Sequence, residues 1–235
     1  MDPKVTTTKQ SGIGTAAIVT LIVGLIVGFG VTSLVESSHY NSQKKAYEAS
    51  AAIPDAGTKA ADLRADLVSL GVQHMDLTDQ AIDAALDGSP NAAAAKADLI
   101  ANGTAISAAV GSIYGSAAQN QFQTLWNNHL TDFINYAVAS KSGDSAGKTA
   151  ALNDIQTNYT LPISKLLSGA NPNLPYATLV TEFGDHVTMT AQMIDDHVSG
   201  NYTAEATMRQ QGDAHLEGLM STLAGAIVKQ YPSKF

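Results

Sequence analysis

The chain has 235 residues, 45% of them hydrophobic and only 14% charged, so it can bury the core of one or two domains behind a sparsely charged surface. Its net charge of −8 argues against nucleic acid as a partner. The absence of cysteine excludes disulfides, thiolate metal sites and cysteine nucleophiles.

Residues 12–35, GIGTAAIVTLIVGLIVGFGVTSLV, are 24 positions without a charge. At about 1.5 Å per residue they make roughly 36 Å of helix, enough to cross a bilayer of about 30 Å with some tilt. Lys4 and Lys9 precede the stretch and Glu36 follows it. The expectation is a cytoplasmic tail (1–11), a single-pass anchor (12–35) in the cytoplasmic or plasma membrane, and a C-terminal domain outside. A cleaved signal peptide would carry a shorter apolar run and a small-x-small site, and VTSLVESS is a poor one, so a retained signal anchor is expected. Residues 36–57 read as a polar stalk broken at Ile53-Pro54-Asp55-Ala56-Gly57.

From Thr58 onward the apolar residues step by threes and fours, and no segment alternates as a strand would. Leu63, Leu67, Leu70, His74 and Leu77 form the inward stripe of a first helix. Gly88-Ser89-Pro90 stops it and starts a second, through Leu99, Asn102 and Ile106. A third helix carries Phe122, Trp126, His129, Phe133 and Tyr136 and turns at Gly143. The fourth runs through Ile155, Asn158 and Leu166, with Pro162 predicted to kink it. The fifth holds Leu179, Phe183, His186 and Met193 and turns at Gly200. The sixth returns through Met208, His215 and Leu219. The predicted fold class is all-α: an up-down bundle of six helices in three hairpins (58–115, 117–169 and 175–231), packed as a four-helix, ferritin-like core with two flanking helices.

The hairpins repeat. His74 lies fourteen residues before Gly88, His129 fourteen before Gly143, and His186 fourteen before Gly200. Fourteen or fifteen residues after those glycines come Asn102, Asn158 and His215. Residues equally far from a hairpin tip lie at one height, so the six are expected in one layer about 21 Å from the tips. His186 and His215 face each other within one hairpin, and His129 and His74 are candidates to join them. Imidazole is a common ligand for copper and zinc, which makes these four histidines the candidate metal ligands, supported by Asn102, Asn158, Met189 and Met193. The alternative is a polar layer whose only role is to specify packing. Asp76, Asp79, Asp83 and Asp87 step along one face away from the stripe and read as a solvated face.

Other chemistries subtract. The residues three before each histidine are Gly71, Trp126, Phe183 and Gly212, so the Glu-x-x-His pair of di-iron bundles is absent. No zinc-protease motif, P-loop or nucleophile elbow occurs, and no nucleophile–base pair can be named, so a non-enzymatic protein is expected. Asn201, in an N-x-T sequon at the third tip, is a candidate glycosylation position.

Leu125-Trp126-Asn127-Asn128-His129 with Phe133, Tyr136, Gly143 and Asp144, followed by Ala170-Asn171-Pro172-Asn173-Leu174-Pro175, resembles uncharacterised bacterial membrane-anchored cell-surface helical proteins over about residues 58–232. Some of these carry a copper-related label, and the resemblance implies an extracytoplasmic position and favours a metal. The expected function is therefore binding or delivery of copper or zinc by a membrane-anchored bundle. The alternative is a structural or accessory subunit of a membrane or cell-surface complex, or a homo-oligomer.

Overall fold

A computed structural model describes residues 58–235. The tail, anchor and stalk expected over 1–57 lie outside the described residues. Every regular element from Thr58 onward is helical: α1 (Lys59–Leu86), α2 (Ala92–Tyr114), α3 (Ser116–Ser142), α4 (Ser145–Ile155), a π-helical turn (Gln156–Thr160), α5 (Leu161–Ala170), α6 (Tyr176–Val198) and α7 (Tyr202–Gln230). Among these described residues, no helix is long and apolar enough to cross a membrane.

The three tips form where the glycines predict them. Gly88, Gly143 and Gly200 adopt φ of +66°, +70° and +74°, the left-handed region that glycine enters without Cβ strain. Thr58 and Asp144 cap α1 and α4, their side chains accepting hydrogen bonds from the backbone N–H groups of Ala61 and Gly147.

Packing departs from the expected four-helix core. Each outgoing helix (α1, α3, α6) packs on its own return helix, and α1 also lies along α7 while α2 lies along α3 and α5 along α6. The six rods thus close into a ring, and the three outgoing helices touch one another inside it. The hole that six helices would leave around one axis is filled by side chains of α1, α3 and α6 together with those of α4, the π turn and α5. Met75, Ile155, Ile163 and Ile194 are fully enclosed, with Tyr159 and Met193 almost so.

Three glycines set how closely the rods approach. A Cβ on Gly71 of α1 would fall 2.6 Å from Met220 Cγ, and one on Gly212 of α7 would fall 2.8 Å from Met75 Sδ. Each methionine fills the notch opposite it, which locks α1 against α7. On α2, a Cβ at Gly103 would fall 2.4 Å from Trp126 Nε1. Because an indole cannot bend away as a thioether chain can, Gly103→Ala is expected to destabilise the protein by about 1–3 kcal/mol. Gly212→Ala, meeting the flexible end of Met75, is expected to cost less. Urea unfolding of the two variants tests the order.

Near the tips, hairpins two and three are pinned by Asp195 of α6. It accepts hydrogen bonds from Lys148 Nζ (2.7 Å), Ser140 Oγ (2.6 Å) and Tyr136 Oη (2.9 Å). Burial alone would raise the Asp195 carboxyl, but Lys148, Ser140 and Tyr136 outweigh it and hold it below its ordinary value. Asp195→Ala leaves those donors without their anion and is expected to cost about 2 kcal/mol of unfolding free energy, read in urea.

Pro162 acts through its neighbours. The expected kink takes the form of the π turn just before it, where Leu161 N–H donates to the Gln156 carbonyl five residues back. Proline cannot donate to the carbonyl four residues earlier and its ring crowds that group, and widening the turn relieves the crowding. The wider turn also rotates the helix: Tyr159 points inward, almost fully buried, while Asn158 is exposed.

Candidate metal centre

The centre lies where α1, α3 and α6 meet. His74, His129 and His186 are 1%, 1% and 2% exposed, and the His74 ring centroid is 5.6 Å from that of His129 and 5.8 Å from that of His186. One ring nitrogen from each can be chosen so that the three lie within 4.8 Å of one another. Nδ1 of every one of these rings is buried without a hydrogen-bond partner. Buried polar atoms nearly always find partners, so three unpartnered ring nitrogens within one cluster of imidazoles mark a site with unmet ligand capacity.

Aromatic rings enclose the cluster. Trp126 sits 4.6 Å from His74 and 4.8 Å from His129, and Tyr159 stacks on His129 at 4.2 Å with an interplanar angle of 20°. This apolar wall sets the electrostatics. Burial first, then the neighbouring imidazole, lowers each histidine from 6.5 to about 3. The repelling neighbour is His129 for His74, His186 for His129, and His74 with His215 for His186. All three rings are therefore neutral at physiological pH, the form that ligates a metal without first shedding a proton.

The set is close enough to share one ion. Bonds of about 2.0–2.1 Å place the nitrogens of a shared metal about 3.3–3.5 Å apart, so small ring rotations would complete the contraction. No carboxylate belongs to this set among the described residues.

The other expected members take different places. His215, expected to pair with His186, is close enough to lower that ring's pKa, but its side chain is 12% exposed and its Nε2 donates to the Glu182 carbonyl at 2.9 Å. The inward stripe of α7 runs instead through Gly212, Leu216 and Leu219, which turns His215 toward α6. Asn102 does reach the centre: it is buried beside His74 and favours that ring's protonated form, although its Oδ1 completes no hydrogen bond and its Nδ2 donates to the Leu70 carbonyl at 3.0 Å. Asn158 is exposed and has yielded its place to Tyr159. Met193 belongs to the apolar core and Met189 is half-buried.

The acidic face of α1 is not simply solvated. Arg209 of α7 donates to Asp76 at 2.6 Å and to Asp213 at 3.2 Å, and stands 3.4 Å from Asp79. Farther along, Asp83 and Asp87 meet His197 of α6 and Glu205 of α7. Both escaped the sequence reading. The available signal was a histidine in the last turn of one helix and a glutamate in the first turn of the next, each where the helix dipole favours its charge.

Away from the histidines, α1, α2 and α3 bound a groove of about 950 Å³ whose rim exposes Ile100, Ile134 and Val138. It shares no residue with the histidine cluster. No known family model matches the chain, nor does any curated protein or solved structure.

Proposed function

We propose that this protein binds one transition-metal ion, Cu(I) ahead of Zn(II), through His74, His129 and His186, and serves in metal binding or delivery rather than catalysis. The observation that carries the reading is the convergence of three neutral, buried imidazoles whose Nδ1 atoms have no other partner. Charge selects the ion. The cost of enclosing an ion in an apolar site rises with the square of its charge, and this ligand set holds no carboxylate to offset a dication. A monovalent ion that accepts three ligands suits it best. Residues 12–35 would tether the bundle to the membrane and present it on the outer side, which fits a protein that meets metal outside the cell.

The test is an anaerobic Cu(I) titration of the purified full-length chain against a competing chelator, followed by fluorescence. Trp126 is the sole tryptophan and touches two of the three rings, so one equivalent of Cu(I) is expected to quench its emission. Cu(I) binding no tighter than about 1 mM would overturn the proposal.

A second reading, an accessory subunit in which the histidines only specify packing, is favoured by the exposed apolar groove. It expects the chain to migrate in a larger native complex that Ile134→Asp disrupts, and His129→Gln to leave that complex and its activity intact.

A further inference from the structure

We infer that Asp83, His197 and Glu205 form a second metal site, for a divalent ion of the zinc class, independent of the histidine triad. Three helices contribute. Glu205 Oε1 of α7 and Asp83 Oδ1 of α1 both stand against His197 Nδ1 of α6, at 2.8 Å and 2.9 Å, and Asp87 Oδ1 lies 3.2 Å from His197 Nε2. His197 and Glu205 are each more than nine-tenths buried.

Counting protons exposes a deficit. The Nδ1 atom carries at most one hydrogen, yet two carboxylate oxygens converge on it, and Asp83 and Glu205 also meet each other. The nearest guanidinium, Arg209, is engaged with Asp76, Asp79 and Asp213. Asp79 adds further negative charge from α1, and the Tyr202 ring closes the edge of His197 without supplying a charge. A cation at the junction of the three ligand atoms meets that deficit directly.

The donor set names the class of ion. One imidazole with two carboxylates, and a third carboxylate on the far side of the ring, suits a borderline divalent ion and offers nothing to soft Cu(I). This is the converse of the triad, whose neutral ligands suit a monovalent ion. The two sites cannot share an ion: His74 and Asp83 are separated by about 14 Å of helix rise on α1, and His186 and His197 by about 16 Å on α6. Neither site depends on the other.

Zinc is the probe. In the full-length chain carrying His129→Leu, which removes a triad ligand, equilibrium dialysis with elemental analysis is expected to find one Zn²⁺. Adding Glu205→Gln or Asp83→Asn is expected to weaken that binding at least tenfold at unchanged helicity. Asp83 is half-buried, so Asp83→Asn decides the matter if Glu205→Gln fails to fold. A His129→Leu chain that holds no Zn²⁺ would overturn the inference and leave the cluster a hydrogen-bonded latch. Zinc binding that survives both carboxylate substitutions would overturn it equally. Cu(I) binding by the parent chain is read separately, so failure of one site is distinguishable from failure of the other.

Discussion

Replacing His129 by leucine is expected to weaken Cu(I) binding at least a hundredfold while leaving the metal-free protein as stable as the parent, or about 1–2 kcal/mol more so. The two effects have one cause. In the metal-free protein the His129 ring is almost wholly buried and its Nδ1 has no partner, so desolvation outweighs what the Trp126 backbone returns to the ring. Leucine has similar volume and removes that cost, losing the ring contacts with Tyr159 and Trp126, terms of about 0.5–1.5 kcal/mol each. A histidine that served packing through hydrogen bonds would behave oppositely, and its loss would destabilise. Chelator-treated protein unfolded in urea, alongside the Cu(I) titration, separates the cases: a variant less stable by about 3 kcal/mol or more would identify His129 as a structural residue.

Acid is expected to attack the metal-free triad strongly. Each ring has its folded value lowered from 6.5 to about 3. Its contribution is complete above about pH 6.5 and is lost as pH falls toward 3, because over that range the unfolded chain takes up protons that the folded chain refuses. Between pH 7 and pH 5 the loss is about 2 kcal/mol per histidine, or about 5–6 kcal/mol for three. The second cluster works in the opposite sense. Burial and neighbouring carboxylates raise Asp83 to about 7 and Asp79 to about 6, so their strain is relieved as pH falls through that range. Comparison of the parent with a His74→Leu/His129→Leu/His186→Leu variant isolates the triad. The parent should lose about 5 kcal/mol more than the variant between pH 7 and pH 5, and parallel curves would show that the rings are already protonated or solvated.

The fold was legible in the sequence because its signals are local. Glycine at each tip and apolar steps of three and four act within one or two turns of helix. The histidine-to-glycine spacing carried farther, since equal distance from a tip means equal height, and it brought His74, His129, His186 and Asn102 to one place. Height alone does not fix direction around a helix. The π turn before Pro162 rotated Tyr159 into the position expected for Asn158, and a one-residue offset on α7 turned His215 onto a carbonyl of α6.

Packing was the least legible level. A preference for four central helices assumed rods of uniform width, whereas Gly71, Gly103 and Gly212 let neighbouring rods close in and large rings fill the middle. The His197 cluster was hidden for a related reason: the charges of α1 looked solvent-facing until the ends of α6 and α7 covered them.

The methionines offer the sharpest discrimination. Met75 and Met220 occupy glycine notches, and Met193 packs into the apolar core. X-ray absorption at the copper edge, on full-length protein loaded with one equivalent of Cu(I), reads the donors directly. Three imidazole nitrogens and no sulfur are predicted, with that signature lost in His129→Leu. A spectrum dominated by thioether sulfur, or one unchanged by the substitution, would contradict a metal centre built from His74, His129 and His186.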